Sequence, residues 1–205
     1  IMSSPKIPYD QRLARLLIRP FANTNLHPNH VTLFSLVLGI GCGALFVFGE
    51  PGIENVAVAV FMMAVLVDHM DGELARMSLK TSKFGHYFDY IVGSLIYTIL
   101  FCSIGVAVYR WTGSEGALVF GFVAGFSNVL IVSLRLSLEL KFGPKAVEHP
   151  SSSGFEIEDF IYLIGPITWL GGLDSFFWLY GAGTMGYLGW TGITFLRQRL
   201  NNPSS

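Results

Sequence analysis

Six apolar runs, each about as long as a membrane-spanning helix, dominate this sequence of 205 residues. A helix rises about 1.5 Å per residue, so roughly 20 residues cross the hydrocarbon core of a bilayer. The predicted spans cover residues 31–49, 53–75, 84–109, 115–138, 157–173 and 174–197. With 52% hydrophobic and 13% charged residues, the chain is too apolar for a soluble domain of ordinary composition. We therefore predict an all-α integral membrane protein with six transmembrane helices.

The basic residues are distributed asymmetrically about these predicted spans. Because cytoplasmic loops collect lysine and arginine, the distribution indicates the orientation of the chain. If both termini are cytoplasmic, 12 of the 13 basic residues lie on that side, and only Arg110 lies on the other. The twelve are Lys6, Arg12, Arg15, Arg19, Arg76, Lys80, Lys83, Arg135, Lys141, Lys145, Arg197 and Arg199. We expect a multi-pass protein of the bacterial inner membrane with both termini in the cytoplasm.

Residues 9–22 are predicted to form an amphipathic helix before the first span. Three leucines share one face of this helix, and three arginines lie on another face. The leucines are Leu13, Leu16 and Leu17, and the arginines are Arg12, Arg15 and Arg19. Such a helix lies at a membrane surface with its basic side on anionic head groups. The alternative is a solvated helix at the start of another fold.

Asp68, Asp71 and Asp89 place three carboxylates in the second and third predicted spans. Unpaired carboxylates are costly in a membrane, so their presence there indicates function rather than packing. At about 100° per residue, Asp68 and Asp71 share one face of their helix. Carboxylate oxygens are the ligands that hard divalent cations prefer. The three residues therefore predict a site for Mg²⁺ or Mn²⁺ at the cytoplasmic end of these two spans.

Small residues accompany the carboxylates at fixed spacing. Gly72 and Ala75 share the face of Asp68 and Asp71, and Gly85 lies four residues before Asp89. The segment reads Asp68-x-x-Asp71-Gly72-x-x-Ala75-Arg76, then eight residues, then Gly85-x-x-x-Asp89. Glu73 projects away from the aspartate face and is expected to be solvated or to face lipid head groups.

This spacing resembles the signature of the CDP-alcohol phosphotransferase (CDP-alcohol phosphatidyltransferase) family, D-x-x-D-G-x-x-A-R, eight residues, G-x-x-x-D-x-x-x-D. The resemblance implies one membrane-embedded domain over residues 1–205. It also implies transfer of a phosphoalcohol group, such as phosphatidyl, from a CDP-linked donor to an acceptor alcohol with release of CMP. Phospholipid or related lipid biosynthesis would be the context, and CDP-diacylglycerol is the donor that we expect.

The resemblance assigns roles to individual residues. The ligands of a dinuclear Mg²⁺ or Mn²⁺ site would be Asp68, Asp71 and Asp89. The donor pocket would be formed by Gly72, Ala75, Gly85 and Arg76, with the small residues leaving room for cytidine and ribose and the arginine pairing with phosphate. Asp89 and Arg76 are the expected catalytic residues.

Every position of the signature is present except the last, where Gly93 replaces the fourth aspartate. In the family that aspartate is a metal ligand and the general base, so the second metal site should be weakened. His86, three residues before Asp89, is either a substitute base or a packed interfacial histidine. Three explanations remain open: a subfamily with a relocated base, a catalytically silent homologue, and a deliberate replacement of aspartate by glycine.

Four further polar residues are candidates for substrate contacts. Asn29 and Thr32 follow Pro28 at the start of the first span, where they either cap the helix or line the nucleotide pocket. Arg135 and Lys141 lie on the same side as the aspartates and would receive a phosphate on the acceptor. Glycerol phosphate, inositol phosphate, an amino alcohol and a sugar-like polyol all fit as acceptors.

The last predicted span is rich in glycine, which lets membrane helices approach closely. Its glycines are Gly181, Gly183, Gly186, Gly189 and Gly192. Packing within the chain and dimerisation both explain them, and we favour internal packing. We nevertheless expect a homodimer in a lipid bilayer, and no nucleic-acid partner.

Two other classes of function compete with a transferase. A non-catalytic membrane subunit could retain the nucleotide or metal pocket and regulate a partner. A small transporter using intramembrane carboxylates is disfavoured, because the aspartates lie toward one membrane face and no paired broken helices are apparent.

Overall fold

The computed structural model describes residues 9–143 and 157–201, and this part of the chain contains helices and turns but no strand. The α-helices in chain order are α1 (Tyr9–Ile18), α2 (Pro28–Phe48), α3 (Glu54–Met77), α4 (Lys83–Thr112), α5 (Glu115–Phe142), α6 (Ile164–Trp169) and α7 (Leu173–Asn201). Short 3₁₀ helices follow α1 at Arg19–Phe21 and precede α6 at Ile157–Leu163. Lys6 and Lys145, two of the basic residues predicted to be cytoplasmic, lie outside the described residues.

Helices α2 to α5 are long and apolar enough to cross a membrane, and they match the first four predicted spans. Their outer faces carry large apolar side chains, such as Phe34 on α2 and Phe122 on α5, which are 53% and 64% exposed. Water would solvate such faces poorly, whereas lipid chains are as apolar as the side chains themselves. The prediction of an all-helical membrane protein is confirmed at the level of these four helices.

The last two predicted spans take a different form. Residues 157–173 form the 3₁₀ helix followed by the six-residue α6. Helix α7 has 29 residues but is not among the helices apolar enough to be counted as spans. Gly171, with φ of 81°, separates α6 from α7 at the predicted boundary, and glycine adopts this left-handed conformation without strain. Six spans therefore stay a prediction.

Close helix contacts hold the bundle together around α4. A Cβ atom at Gly105 on α4 would lie 2.6 Å from the carbonyl oxygen of Ala117 on α5. A Cβ atom at Gly39 on α2 would lie 2.9 Å from Cγ1 of Ile96 on α4. Both distances are shorter than side chains tolerate, so glycine permits the approach at each crossing.

Helix α7 joins this bundle through its first half only. Phe177 is fully buried in the core, and a Cβ atom at Gly181 would lie 2.9 Å from Cζ of Phe120 on α5. The remaining glycines of the helix have no described atom within 4 Å of their Cβ positions; they are Gly183, Gly186, Gly189 and Gly192. Among the described residues, internal packing therefore does not account for these four glycines.

Helix α1 lies against the end of α3. Ala14 and Ile18 are buried, and Ile18 packs in a cluster with Leu74 of α3. The three leucines of the predicted apolar face are 44% to 65% exposed. The helix ends at Ile18, so it is shorter than the predicted 9–22. Its location at a membrane surface stays a prediction.

Two side chains, Lys80 and Ser82, fix the connection between α3 and α4 by hydrogen bonds. Ser82 caps α4, since its Oγ accepts a hydrogen bond of 2.9 Å from the backbone N–H of Gly85. The Lys80 ammonium donates to the carbonyl oxygens of Thr24 and Leu26 at 3.3 Å each. The end of α3 and the start of α4 are thereby fixed beside the start of α2.

Candidate active site

Asp68, Asp71 and Asp89 converge where the last turns of α3 face the first turns of α4. One oxygen of each carboxylate lies within 4.8 Å of those of the other two. Asp71 is buried, and the other two are partly buried. Three carboxylates this close repel one another unless positive charge or protons compensate. An all-oxygen donor set fits a hard divalent cation, so the residues present suit the predicted metal.

Two hydroxyl groups of α2 support the carboxylates of α3. Thr32 donates a hydrogen bond from Oγ1 to Oδ2 of Asp71. The Ser35 Oγ lies 3.1 Å from Oδ1 of Asp68 and 2.7 Å from the Thr32 carbonyl oxygen. Thr32 thus contacts a predicted metal ligand instead of capping the helix. Ser35 was not among the predicted residues, although its three-residue spacing from Thr32 puts both on one face.

Helix α2 is capped by His27, not by Asn29. The Nδ1 of His27 accepts a hydrogen bond of 3.3 Å from the backbone N–H of Asn29, and Pro28 is the first helical residue. The Oδ1 of Asn29 lies 3.2 Å from the position that a Cβ atom of Gly85 would occupy. Asn29 therefore faces the first turn of α4, and a side chain at position 85 would have to displace it.

Gly93 follows Asp89 by one turn of α4 and faces the same carboxylates. A Cβ atom there would lie 3.5 Å from Oδ2 of Asp68, which is an ordinary contact. No other side chain among the described residues comes within 4 Å of that position. A carboxylate at position 93 would thus reach the cluster without a clash, as the spacing of the signature predicts.

Arg76 extends back along α3 over Gly72. A Cβ atom at Gly72 would lie 3.6 Å from both Nη1 and Nη2 of the guanidinium. Nη2 donates a hydrogen bond of 2.7 Å to Oε1 of Glu73, and Oε2 of Glu73 is 4.0 Å from Nε of Arg15 on α1. The expectation that Glu73 is solvated is wrong. It is only 6% exposed, because α1 covers this side of α3. Ala75 is partly buried on the next turn.

A cavity of about 810 Å³ extends from the carboxylates into the space between α3, α4, α5, α6 and α7. Asp68, Asp89 and Gly93 line its polar end, together with Arg135 of α5. Nη1 of Arg135 lies 3.5 Å from the hydroxyl of Tyr187 on α7. The other end is apolar and includes Phe160, Leu163, Ile167, Phe176 and Leu179. The cavity therefore joins a charged site to a hydrophobic one.

Comparison with known sequences decides the family. The family model described as CDP-alcohol phosphatidyltransferase matches residues 25–196, which is most of the chain. The chain belongs to the CDP-alcohol phosphatidyltransferase family. The resemblance carried by the signature is thereby confirmed, and the matched range contains all the candidate site residues.

Three similar proteins illustrate how much of the chain individual relatives match. An uncharacterized protein of Aquifex aeolicus is 34% identical over 135 residues, which cover 64% of this chain and 65% of the relative. A bifunctional IPC transferase and DIPP synthase of Archaeoglobus fulgidus is 32% identical over 58% of this chain and 22% of its own length. The protein of the same description from Thermococcus kodakarensis is 28% identical over 48% of this chain and 22% of its own length. The chain thus spans less than two thirds of these relatives.

Two of the candidate site residues, Lys141 and His86, are not among the described residues that line the cavity. The ammonium of Lys141 lies 5.7 Å from the ring centre of its neighbour Phe142. Nε2 of His86 lies 3.2 Å from Oε1 of Glu139 on α5, whose Oε2 accepts a hydrogen bond of 2.7 Å from Tyr90. His86 thus pairs with Glu139 of α5. Glu139 was not predicted, although it is the only carboxylate close to the end of the fourth predicted span.

Helix α1 contacts the signature helix at a second polar point. Nδ1 of His69 lies 2.7 Å from Oδ2 of Asp10 on α1. Burial raises the pKa of the Asp10 carboxyl, but the hydrogen bond and charge of His69 and the backbone N–H of Gln11 leave that pKa below its ordinary value. Together with the Arg15–Glu73 contact, this pair holds α1 against α3, and His69 also lines the cavity.

Proposed function

We propose that this chain transfers a phosphatidyl or related phosphoalcohol group from a CDP-linked donor to an acceptor alcohol, with release of CMP, in phospholipid or related lipid biosynthesis. The observation that carries the proposal is the convergence of Asp68, Asp71 and Asp89 at the polar end of a large cavity, within the family signature. CDP-diacylglycerol is the donor that the apolar end of the cavity favours.

The three aspartates would hold Mg²⁺ or Mn²⁺, with the Thr32 and Ser35 hydroxyls fixing the carboxylate rotamers from α2. A bound divalent cation would neutralise negative charge on the bridging phosphates. In the dinuclear arrangement that the family resemblance implies, Gly93 leaves one ligand position to water, so the second site would be the weaker one.

The donor would lie against Gly72, Ala75 and Gly85, where the absence of long side chains leaves room for cytidine and ribose. Arg76 would bind the diphosphate through its free N–H groups, and Asn29 would contact the nucleotide from α2. The acceptor oxygen forms a bond to the phosphorus of the phosphoalcohol group. The bond from that phosphorus to the bridging oxygen breaks, and CMP leaves.

The acceptor would enter the polar end of the cavity between Asp89 and Arg135. Arg135 lines the cavity, and its guanidinium would bind a phosphate on the acceptor, which favours a phosphorylated polyol over a neutral alcohol. In the family the fourth aspartate takes the proton of the acceptor hydroxyl. With glycine at position 93, that proton passes to water, and turnover is slow.

The proposed arrangement in the membrane has six spans, with both termini and the active site on the cytoplasmic side of the bacterial inner membrane. The excess of basic residues at the active-site ends of the helices supports it. The exposed leucines of α1 support a location of that helix at the lipid interface. The exposed residues Gly186 and Gly189 of α7 would allow close contact with a second copy in a homodimer.

A second function is favoured by one observation, the glycine at position 93. A homologue that binds nucleotide and metal but lacks the base would serve as a regulatory membrane subunit. Its pocket would be intact, while its turnover would be lost.

One experiment separates the two functions. The full chain, purified in detergent, is incubated with CDP-diacylglycerol, Mn²⁺ or Mg²⁺, and in turn glycerol 3-phosphate, inositol phosphate, serine and a neutral polyol, while CMP release is measured. Acceptor-dependent CMP release that is lost in Asp71→Asn supports the transferase. Donor binding without CMP release, in both the parent and Gly93→Asp, supports the regulatory subunit. Absence of donor binding contradicts both.

A further inference from the structure

Glu73 is a buried carboxylate that the proposed mechanism does not use. It lies two residues after Asp71, yet it points to the opposite side of α3, toward α1. Burying a carboxylate is unfavourable unless hydrogen bonds and opposite charge compensate. Glu73 receives both from Arg76, at 2.7 Å, and a further positive charge from Arg15, at 4.0 Å. A surface glutamate would need neither partner.

The hydrogen bond between Glu73 and Arg76 limits where the Arg76 side chain can lie. Its side chain is 59% exposed, and a long exposed arginine samples many rotamers that binding must then freeze. The hydrogen bond from Nη2 to Glu73 restricts the guanidinium to the region over Gly72, which lies beside Asp71. Nη1 and Nε donate no hydrogen bond to Glu73, so they can face a phosphate.

The charges of the cluster also favour an anion. Glu73 and Arg76 alone would be neutral, which would weaken the attraction of Arg76 for phosphate. Arg15 of α1 restores one formal positive charge to the group. A small pocket of about 360 Å³ lies between these side chains and is lined by Gln11, Arg15, Glu73, Arg76 and Met77. Helix α1 thus contributes to the charge balance of the signature helix.

We propose that Glu73 is a positioning residue that holds the Arg76 guanidinium over Gly72, in the orientation that receives the diphosphate of the donor, with Arg15 offsetting its charge. The identity of the ligand rests on the proposed function. The placement of Arg76 is a property of the chain alone, and it is tested separately.

The first test measures the chemical reactivity of the Arg76 guanidinium in the absence of any ligand. The full chain is treated with phenylglyoxal, and modification of Arg76 is followed by peptide mass spectrometry. Arg76 should react several-fold faster in Glu73→Gln than in the parent, because its guanidinium is released. Glu115→Gln, which removes an exposed carboxylate at the start of α5, should leave the rate unchanged. An unchanged rate in Glu73→Gln would overturn the proposal even if the chain bound no nucleotide.

The second test measures binding of CDP-diacylglycerol in Mn²⁺ and, separately, of Mn²⁺ alone. Glu73→Gln should weaken lipid binding about 10-fold and leave Mn²⁺ binding unchanged. In an Arg76→Ala background the same change should have no further effect, since Glu73 acts through Arg76. An equal loss in both backgrounds would show that Glu73 acts elsewhere and would overturn the proposal.

If Glu73→Gln does not fold, Arg15→Gln tests the same cluster, because the Arg15 side chain is 56% exposed and tolerates replacement. It should weaken CDP-diacylglycerol binding in the parent but not in Arg76→Ala, and a loss in both would contradict the proposal. Failure of the parent to bind CDP-diacylglycerol would contradict the proposed function, while the phenylglyoxal rates would still decide the role of Glu73.

Discussion

The hydroxyl of Thr32 on α2 donates a hydrogen bond to the carboxylate of Asp71 on α3. The hydroxyl of Ser35, one turn later on α2, lies 3.1 Å from Oδ1 of Asp68 and shares its proton with the Thr32 carbonyl oxygen. Helix α2 therefore controls how the carboxylates of α3 are turned, although it supplies no carboxylate itself. The site depends on the contact between these helices as well as on the signature.

Removing these hydroxyls should weaken metal binding without removing a ligand. Thr32→Val and Ser35→Ala leave the carboxylates in place but free to rotate, and loss of such supporting groups typically costs about 10- to 100-fold in metal affinity. Titration with Mn²⁺ measures the effect. Ser133→Ala is the matched control, since Ser133 donates only to the Val129 carbonyl oxygen of its own helix. Equal affinities in Ser35→Ala and Ser133→Ala would refute the role of α2.

Replacing a clustered carboxylate should abolish binding outright. In Asp71→Asn the buried position loses its charge and a ligand oxygen, so Mn²⁺ binding and metal-dependent donor binding should both fall below detection. Asp174→Asn is the control, because Asp174 is exposed at the start of α7 and its Oδ1 accepts a hydrogen bond of 3.1 Å from the indole N–H of Trp178. Isothermal calorimetry distinguishes the two. Retained binding in Asp71→Asn would remove Asp71 from the site.

Introducing aspartate at position 93 should raise turnover. The side chain would point at Asp68 from a position where a Cβ atom is 3.5 Å away, completing the signature. Gain of a general base should increase CMP release by about 10² to 10⁴. Gly93→Ala fits the same space without a carboxylate and should not increase it. If Gly93→Asp lowers the rate of an active parent, the base lies elsewhere, and His86→Gln and Glu139→Gln become the next variants to assay.

Arg135 and Lys141 should differ in their effect on the acceptor. Arg135 lines the cavity, whereas Lys141 is exposed and directed at Phe142. Arg135→Gln should raise the KM for glycerol 3-phosphate about 10-fold, as expected for loss of a charge-assisted hydrogen bond. Lys141→Gln should change it little. Steady-state CMP release at varied acceptor concentration measures both, and a larger effect of Lys141→Gln would reverse the assignment.

A methyl group at the α4–α5 crossing should destabilise the fold. In Gly121→Ala the new Cβ would lie 3.1 Å from the Cα of Gly105, so the two backbones would have to separate. Overpacking of this kind costs about 1–3 kcal/mol. Thermal unfolding in detergent should show a lower Tm than for the parent. Gly116→Ala, whose Cβ would meet only the Ser114 Oγ at 3.8 Å, should not lower it.

Local periodicity predicted which residues share a face within each signature helix, while the meeting of the two helices was implied by the intramembrane carboxylates and the family resemblance. Asp68 and Asp71 lie on one face of any helix, and Asp89 and Gly93 lie one turn apart on the next. The lengths of the apolar runs likewise predicted α2 to α5, because a membrane-spanning helix has a minimum length. These features follow from the geometry of single helices.

Features that depend on contacts between helices were not predictable in the same way. Glu73 is buried only because α1 folds over it, and Ser35 matters only because α2 lies against α3 at that height. The cap of α2 was also left open, since Asn29 was expected either to cap the helix or to line the nucleotide pocket, and the structure has the His27 imidazole as the cap. Histidine is not among the preferred capping residues, so the sequence pattern did not point to His27.

The cavity reaches the outer surface of the bundle, where Leu179 is 75% and Phe160 is 59% exposed. Moving an acyl chain from hydrocarbon into water costs about 0.8 kcal/mol per methylene group, so a route through water would be prohibitive for a two-chain lipid. Under the proposed function, the chains of a lipid product would stay in hydrocarbon along this surface while its head group leaves Arg135 and the carboxylates. The barrier to product exchange then depends on the head group alone, and it should be nearly independent of acyl chain length.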